Sequence, residues 1–180
     1  MHATSLAAPR LIVLSGLAAS GKSTIADGIG QAFGIPVLSV DPIESAILEA
    51  GITRSFETGL AAYLVAQAIA DRHLAAGLGV VIDAANYGNE GRELWRGLAI
   101  RHGVPMAVIE VKVADPDRHL GRLAARNRGL ALPEPTPSDI ATQRREWIEW
   151  PEPHLVLDGL ASAAENIRQA LAYLGVIRVV

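Results

Sequence analysis

The 180-residue chain is 50% hydrophobic but only 4% aromatic, carries a formal net charge of −3 and contains no cysteine. That length suits a single domain over residues 1–180 with a sizeable core, and the mild acidity argues against a general polyanion binder. Disulfides, thiolate metal sites and thiol catalysis are excluded. No apolar run reaches membrane-spanning length and residues 1–10 lack the apolar core of a secretory leader, so a cytoplasmic protein is expected.

In chain order, a short apolar run at 11–15 predicts a buried strand, followed by a Gly-rich turn and a helix over 23–32. A second strand is predicted at 36–40, then helices over 43–50 and 57–76. A third strand at 80–83 leads into a helix over 90–102, and a fourth at 107–113 into a helix over 116–126. The segment Pro133-Glu134-Pro135-Thr136-Pro137 reads as an extended or mobile loop. A helix over 138–149, a last strand at 155–157 and a helix over 161–174 complete the chain. Strands that alternate with helices predict an α/β fold with a parallel sheet and right-handed crossovers.

The turn after the first strand, Gly16-Leu17-Ala18-Ala19-Ser20-Gly21-Lys22-Ser23, has the glycine spacing and terminal Lys-Ser of a phosphate-binding loop. Lys22 is one of only two lysines, against fourteen arginines, which suggests a task that arginine does not perform. Helix N-termini offer free N–H groups and partial positive charge, and glycines let the backbone close around an anion. Gly16, Ala18, Ala19, Ser20, Gly21, Lys22, Ser23 and Thr24 are therefore expected to hold nucleotide phosphates, with Lys22 reaching the β- and γ-phosphates and Ser23 ligating Mg²⁺.

Other candidates lie beyond the predicted strand ends, where open α/β sheets bind ligands. Asp41 follows the second strand and can either receive a substrate hydroxyl proton or, with Pro42 behind it, cap a helix. Asp83 ends the third strand and is expected to orient Mg²⁺. Asn86 and Arg92 are candidate substrate contacts. Arg118, Arg122 and Arg126 recur every fourth residue on a predicted helix whose other side, Leu120, Leu123 and Ala124, is expected to be buried. They and Arg128 belong to a lid segment around 118–137 that could close over a triphosphate. His2, His73, His102, His119 and His154 show no metal-ligand spacing and are expected at the surface or at helix ends, while Trp147 and Trp150 are expected to pack.

Together, these motifs resemble the P-loop kinases of the polynucleotide-kinase-like group, with gluconate kinase, shikimate kinase and chloramphenicol phosphotransferase more distant. The resemblance rests on 14–24, Val40-Asp41, Ile82-Asp83-Ala84-Ala85-Asn86 and Arg122-Leu123-Ala124-Ala125-Arg126. It implies a three-layer P-loop NTPase fold with a five-stranded parallel sheet ordered 2-3-1-4-5, ATP and Mg²⁺ as cofactors, and Asp41, Arg122 and Arg126 acting with Lys22 in catalysis. Arg122 would also contact ATP. Ala85 stands where the group has threonine, and Ile43-Glu44-Ser45 where several relatives have arginine. Both departures turn the expectation from a polynucleotide toward a small-molecule hydroxyl acceptor. The alternatives are a 5′-hydroxyl polynucleotide kinase and a nucleotide-dependent switch or ATPase that transfers no phosphate.

Overall fold

The computed structural model describes residues 10–175. The N-terminal segment at 1–9, with His2, lies outside the described residues. Five strands form one sheet: β1 (Leu11–Ser15), β2 (Val37–Ser39), β3 (Val80–Asp83), β4 (Met106–Lys112) and β5 (Leu155–Asp158). Their spatial order is β2-β3-β1-β4-β5, and every pairing is parallel. The helices are α1 (Lys22–Phe33), α2 (Val40–Glu49), α3 (Phe56–Ala75), α4 (Asn89–His102), α5 (Pro116–Ala124), α6 (Pro137–Arg145) and α7 (Ala163–Tyr173).

Strand periodicity explains the three layers. Successive side chains point to opposite faces, so Leu11 and Val13 join Val80, Ile82 and Val108 in a core with α3 and α4. Ile12 and Leu14 join Val81, Ile109 and Val111 in a second core with α1 and α7. Because both faces are covered, the strands are near-continuous apolar runs rather than alternating ones. Along α3, Ala62, Ala66 and Ala70 recur at one-turn spacing and are fully buried, so the long helix lies close to its neighbours.

Two boundaries differ from expectation in informative ways. Helix α2 begins at Val40, with Ser39 at the cap position and no side-chain cap bond, so Asp41 sits inside the first turn and is not the cap. Helix α5 ends at Ala124, so Arg126 lies past the helix and does not continue a stripe with Arg118 and Arg122. On α5 the buried residues are His119 and Leu123, whereas Leu120 is 38% exposed and Ala124 is also exposed. The buried face is therefore rotated from the expected one.

The first glycine of the loop after β1 is fixed by crowding. Gly16 has φ of +151°, and a Cβ there would lie 2.6 Å from the Val111 carbonyl oxygen and 2.8 Å from Ser20 Oγ. A backbone oxygen in a central strand cannot retreat, so Gly16→Ala is expected to cost roughly 1–3 kcal/mol. At roughly 2–4 °C per kcal/mol for a domain of this size, calorimetry should show a clear fall in Tm. Gly97→Ala is the control. Nothing lies within 4 Å of its added Cβ, so it should leave Tm unchanged or raise it slightly.

Candidate active site

The phosphate loop is built by β1, which ends under it, and by α1, which starts at its last residues. The N–H of Gly16 donates to the Ala85 carbonyl at 3.1 Å, tying the loop to the end of β3. Ala19 at φ +62° and Gly21 at φ +102° are left-handed, a strained state for a non-glycine that persists only where the surroundings impose it. Helix α1 has no side-chain cap bond and no acidic residue in its first turn. Its N–H groups and dipole are thus left for an anion. Lys22 is only 5% exposed, and its ammonium has no hydrogen-bond or ion-pair partner among the described residues. A nearly buried, unpaired cation is costly unless an anion joins it.

A cleft of about 310 Å³ runs over this loop, lined by Ala19, Gly21, Ser23, Thr24 and the arginines at 122, 126 and 128, with Lys22 at its base. Arg122 donates from Nη1 to the carbonyl of Gly159, in the loop after β5. A second cleft of about 280 Å³ shares Lys22, Ser23 and Arg128 with the first and adds Asp27, Ser39, Asp41 and Asp83. The strand ends thus bring Lys22, Ser23, Asp41 and Asp83 together.

Asp83 is buried. Its Oδ2 accepts from Ser39 Oγ at 2.8 Å, while Oδ1 is buried without a hydrogen-bond partner. An orphaned carboxylate oxygen on a residue that lines the same cleft as Ser23 fits a divalent cation, because hard cations take oxygen ligands. No group of three or more His, Cys, Asp or Glu among the described residues could hold a metal by itself. Such a cation would therefore complete its shell with phosphate oxygens and water, as magnesium usually does.

Asp41 faces the lid. Its Oδ2 pairs with Arg128 Nη1 at 2.5 Å and lies 3.8 Å from Arg126 Nη2. Burial pushes its carboxyl up, but Lys22, Arg128 and Arg126 together outweigh this and hold it below the ordinary carboxylate range. Glu134 pairs with both arginines at 3.0 Å, to Nη1 of Arg126 and to Nε of Arg128. The backbone N–H of Ala131 donates to Ser45 Oγ on α2 at 2.8 Å. The proline-rich lid, read as mobile from its composition, is latched in this structure onto the helix that carries Asp41.

Arg92 and Asn86, two of the expected substrate contacts, lie outside the two clefts over the phosphate loop. Arg92 is fully buried. Its Nε donates to the Asn86 carbonyl at 2.7 Å, and its guanidinium stacks 4.2 Å from the Trp150 ring centroid. It shares the inward face of α4 with Trp95 and Leu98 rather than presenting itself to a ligand. Asn86 borders a third cleft, of about 290 Å³, with Glu44, Arg54, Tyr63, Tyr87 and Glu90. Its amide is engaged structurally, however: Nδ2 donates to the Leu14 carbonyl and Oδ1 accepts from Trp95 Nε1. Trp150 packs as expected and donates to Ser15 Oγ at 3.0 Å.

His119 departs from the surface role expected of it. It is buried at the phosphate loop, with Nε2 2.7 Å from the Ala18 carbonyl and Nδ1 2.7 Å from Arg144 Nη2. Arg144 can only donate, so Nδ1 accepts and the Nε2–H donates: the ring is neutral. Burial lowers its pKa, and Arg144 and Arg122 lower it further, against the pull of the Ala18 carbonyl. A histidine whose folded pKa is depressed stabilises fully above the unfolded value of about 6.5 and loses that contribution as pH falls through the folded pKa. Wild-type Tm should therefore fall more than that of His119→Gln as pH is lowered from about 7.5 to about 5.5. Glutamine keeps one donor and one acceptor but does not titrate, so thermal melts of the two proteins across that range make the check.

The parallel 2-3-1-4-5 sheet with the phosphate loop at the end of its central strand defines a P-loop fold of the kinase type. Residues 11–149 match AAA_33, an AAA domain family, and the chain belongs to that family. No curated protein matches it by sequence. Among solved structures it is similar to a sugar kinase from Janibacter sp., with 22% identity, TM-score 0.68 and coverage of 93% of this chain and 95% of the other. A gluconokinase from Sinorhizobium meliloti follows, with 21% identity, TM-score 0.67 and coverage of 95% and 93%. APS kinase from Mycobacterium tuberculosis, in complex with AMPPNP and APS, gives 20% identity, TM-score 0.66 and coverage of 93% and 98%. No helix among the described residues is long and apolar enough to cross a membrane.

Proposed function

We propose that the protein is an ATP-dependent kinase that moves the γ-phosphoryl group of Mg·ATP to a hydroxyl of a small molecule. The observation that carries this reading is the meeting of an unpaired, nearly buried lysine with two strand-end carboxylates and a lid arginine in adjoining clefts. The triphosphate lies along the 16–24 loop, with Lys22 across the β- and γ-phosphates and Ser23 and Asp83 holding the cation. Arg122 and Arg126 contact the nucleotide from the lid side. The acceptor hydroxyl donates to Asp41, its oxygen forms a bond to the γ-phosphorus, and the bond to the ADP oxygen breaks. Because Asp41 is held ionised, it orients the hydroxyl and takes its proton late, as a loose transition state requires.

The acceptor is best accommodated in the cleft between α2, α3 and the loop before α4. Its volume of about 290 Å³ and its paired acidic and aromatic lining suit a small polar molecule rather than an extended strand. The sugar kinase and gluconokinase similarities favour a polyhydroxylated acceptor. The test is transfer of labelled γ-phosphate from Mg·ATP to a panel of sugars, sugar acids, nucleosides, nucleotide sugars and 5′-hydroxyl oligonucleotides. Label on one small molecule supports the reading, and label on oligonucleotides alone makes the protein a polynucleotide kinase. Hydrolysis with no labelled acceptor, surviving Asp41→Asn, makes it a switch.

A further inference from the structure

Helix α3 has an outer face that its own fold does not use. The alanines at 62, 66 and 70 turn inward and join the core. On the opposite side Leu60, Leu64, Val65 and Ile69 are 37–46% exposed, with Ala68 exposed among them and Ala61 half-buried. No charged residue lies between Glu57 and Asp71, and Gln67 is engaged with the Leu94 carbonyl. A surface helix normally turns charged and polar side chains to water, and one that is apolar on every side is normally covered. Among the described residues nothing covers this strip.

The order of side chains along the strip points to what does. Equal steps away from its midpoint, between Leu64 and Val65, meet Ala61 and Ala68, then Leu60 and Ile69, and finally Glu57 and Arg72. Read from either end, the strip has the same succession of large and small apolar residues, and only the sign of the terminal charge differs. Such a surface is complementary to itself turned end over end, as a two-fold contact between identical chains requires. Laid antiparallel about this midpoint, two α3 helices set Ala61 of each level with Ala68 of the other, where small side chains let the axes approach. Each Glu57 then comes level with Arg72 of the second copy. A parallel arrangement would instead set Glu57 beside Glu57 and Arg72 beside Arg72. Both end charges are exposed and neither has an ion-pair partner among the described residues, whereas the neighbouring Asp71 is taken by Arg101 and His102.

We propose that the outer face of α3 docks a second copy of this chain, α3 against α3, antiparallel about a two-fold axis near Leu64 and Val65. A helix of 20 residues is about 30 Å long. The strip alone therefore makes an interface below the standard size, and the dimer exchanges with monomer in the micromolar range.

The test is sedimentation equilibrium of the full chain at low salt, from about 1 to about 200 μM. The mass of one chain is expected at the lowest concentration and a mass approaching twice that at the highest. Ala68→Glu puts a charge at the centre of the contact from an exposed position, and should raise the dissociation constant about tenfold or more with Tm of the dilute protein unchanged. Leu64→Lys does the same if Ala68→Glu does not fold. Glu57→Arg and Arg72→Glu should each weaken the dimer about tenfold, and the two together should return it to within about threefold of wild type. A monomer across the whole range overturns the proposal, and so does a dimer that survives both Ala68→Glu and Leu64→Lys. Failure of the double charge swap to restore affinity overturns it too, since the antiparallel pairing of Glu57 with Arg72 is then wrong.

Discussion

Lys22→Ala is expected to lower phosphoryl transfer by roughly 10³-fold or more, with Tm in the absence of nucleotide unchanged or slightly raised. The two halves of that expectation share a cause. Lys22 is nearly buried as a residue and its ammonium has no hydrogen-bond or ion-pair partner among the described residues, so removing it relieves a desolvation cost. Alanine is also a good residue for the first turn of α1. Filling the loop with Mg·AMPPNP should raise wild-type Tm, since a ligand that binds only the folded state stabilises it. That rise should be lost in the variant. Normal transfer by purified Lys22→Ala would end the mechanism, and a collapse of Tm without nucleotide would show that the lysine is structural.

The second large effect belongs to Asp41. Asp41→Asn keeps the shape of the side chain but removes the charge and the proton acceptor, and transfer should fall by about 10²–10⁴-fold. Nucleotide affinity should change little, because Asp41 does not line the cleft over the phosphate loop. Arg128→Ala separates two roles of this carboxylate. If the pair of Arg128 and Asp41 only latches the lid, the variant loosens the segment but keeps most of its turnover. If Arg128 also carries transferring charge, kcat falls with it. Steady-state kinetics with the acceptor found in the panel, alongside proteolysis of the 125–137 segment, distinguishes these outcomes.

The parts of this architecture that were legible in the sequence are those whose chemistry is local. The loop around Lys22 and the strand-end acid Asp83 each depend on a few adjacent residues, and the alternation of apolar runs sets the sheet. What was not legible depends on which face of an element turns inward. Arg92 reads as a polar residue on an amphipathic helix, yet it stands on the buried side of α4, where stacking on Trp150 replaces water. His119 looks like one of several scattered histidines until α5 is docked against the loop and its ring meets Ala18 and Arg144. Glu134 lies in a segment whose prolines suggested only extension, and its pairing with Arg126 and Arg128 depends on how the chain returns from α5. None of these pairings has a spacing rule, because each joins segments that meet only after folding.

The clefts over the phosphate loop and between α2, α3 and the loop before α4 are lined by different residues, and Asp41 stands on the same helix as Glu44 of the second. On the proposed kinase reading, a donor held in one cleft and an acceptor held in the other would exchange the phosphoryl group without a covalent enzyme intermediate. The phosphoryl group would then travel once, directly, with inversion of configuration at phosphorus, and both substrates would have to be aboard before either product formed.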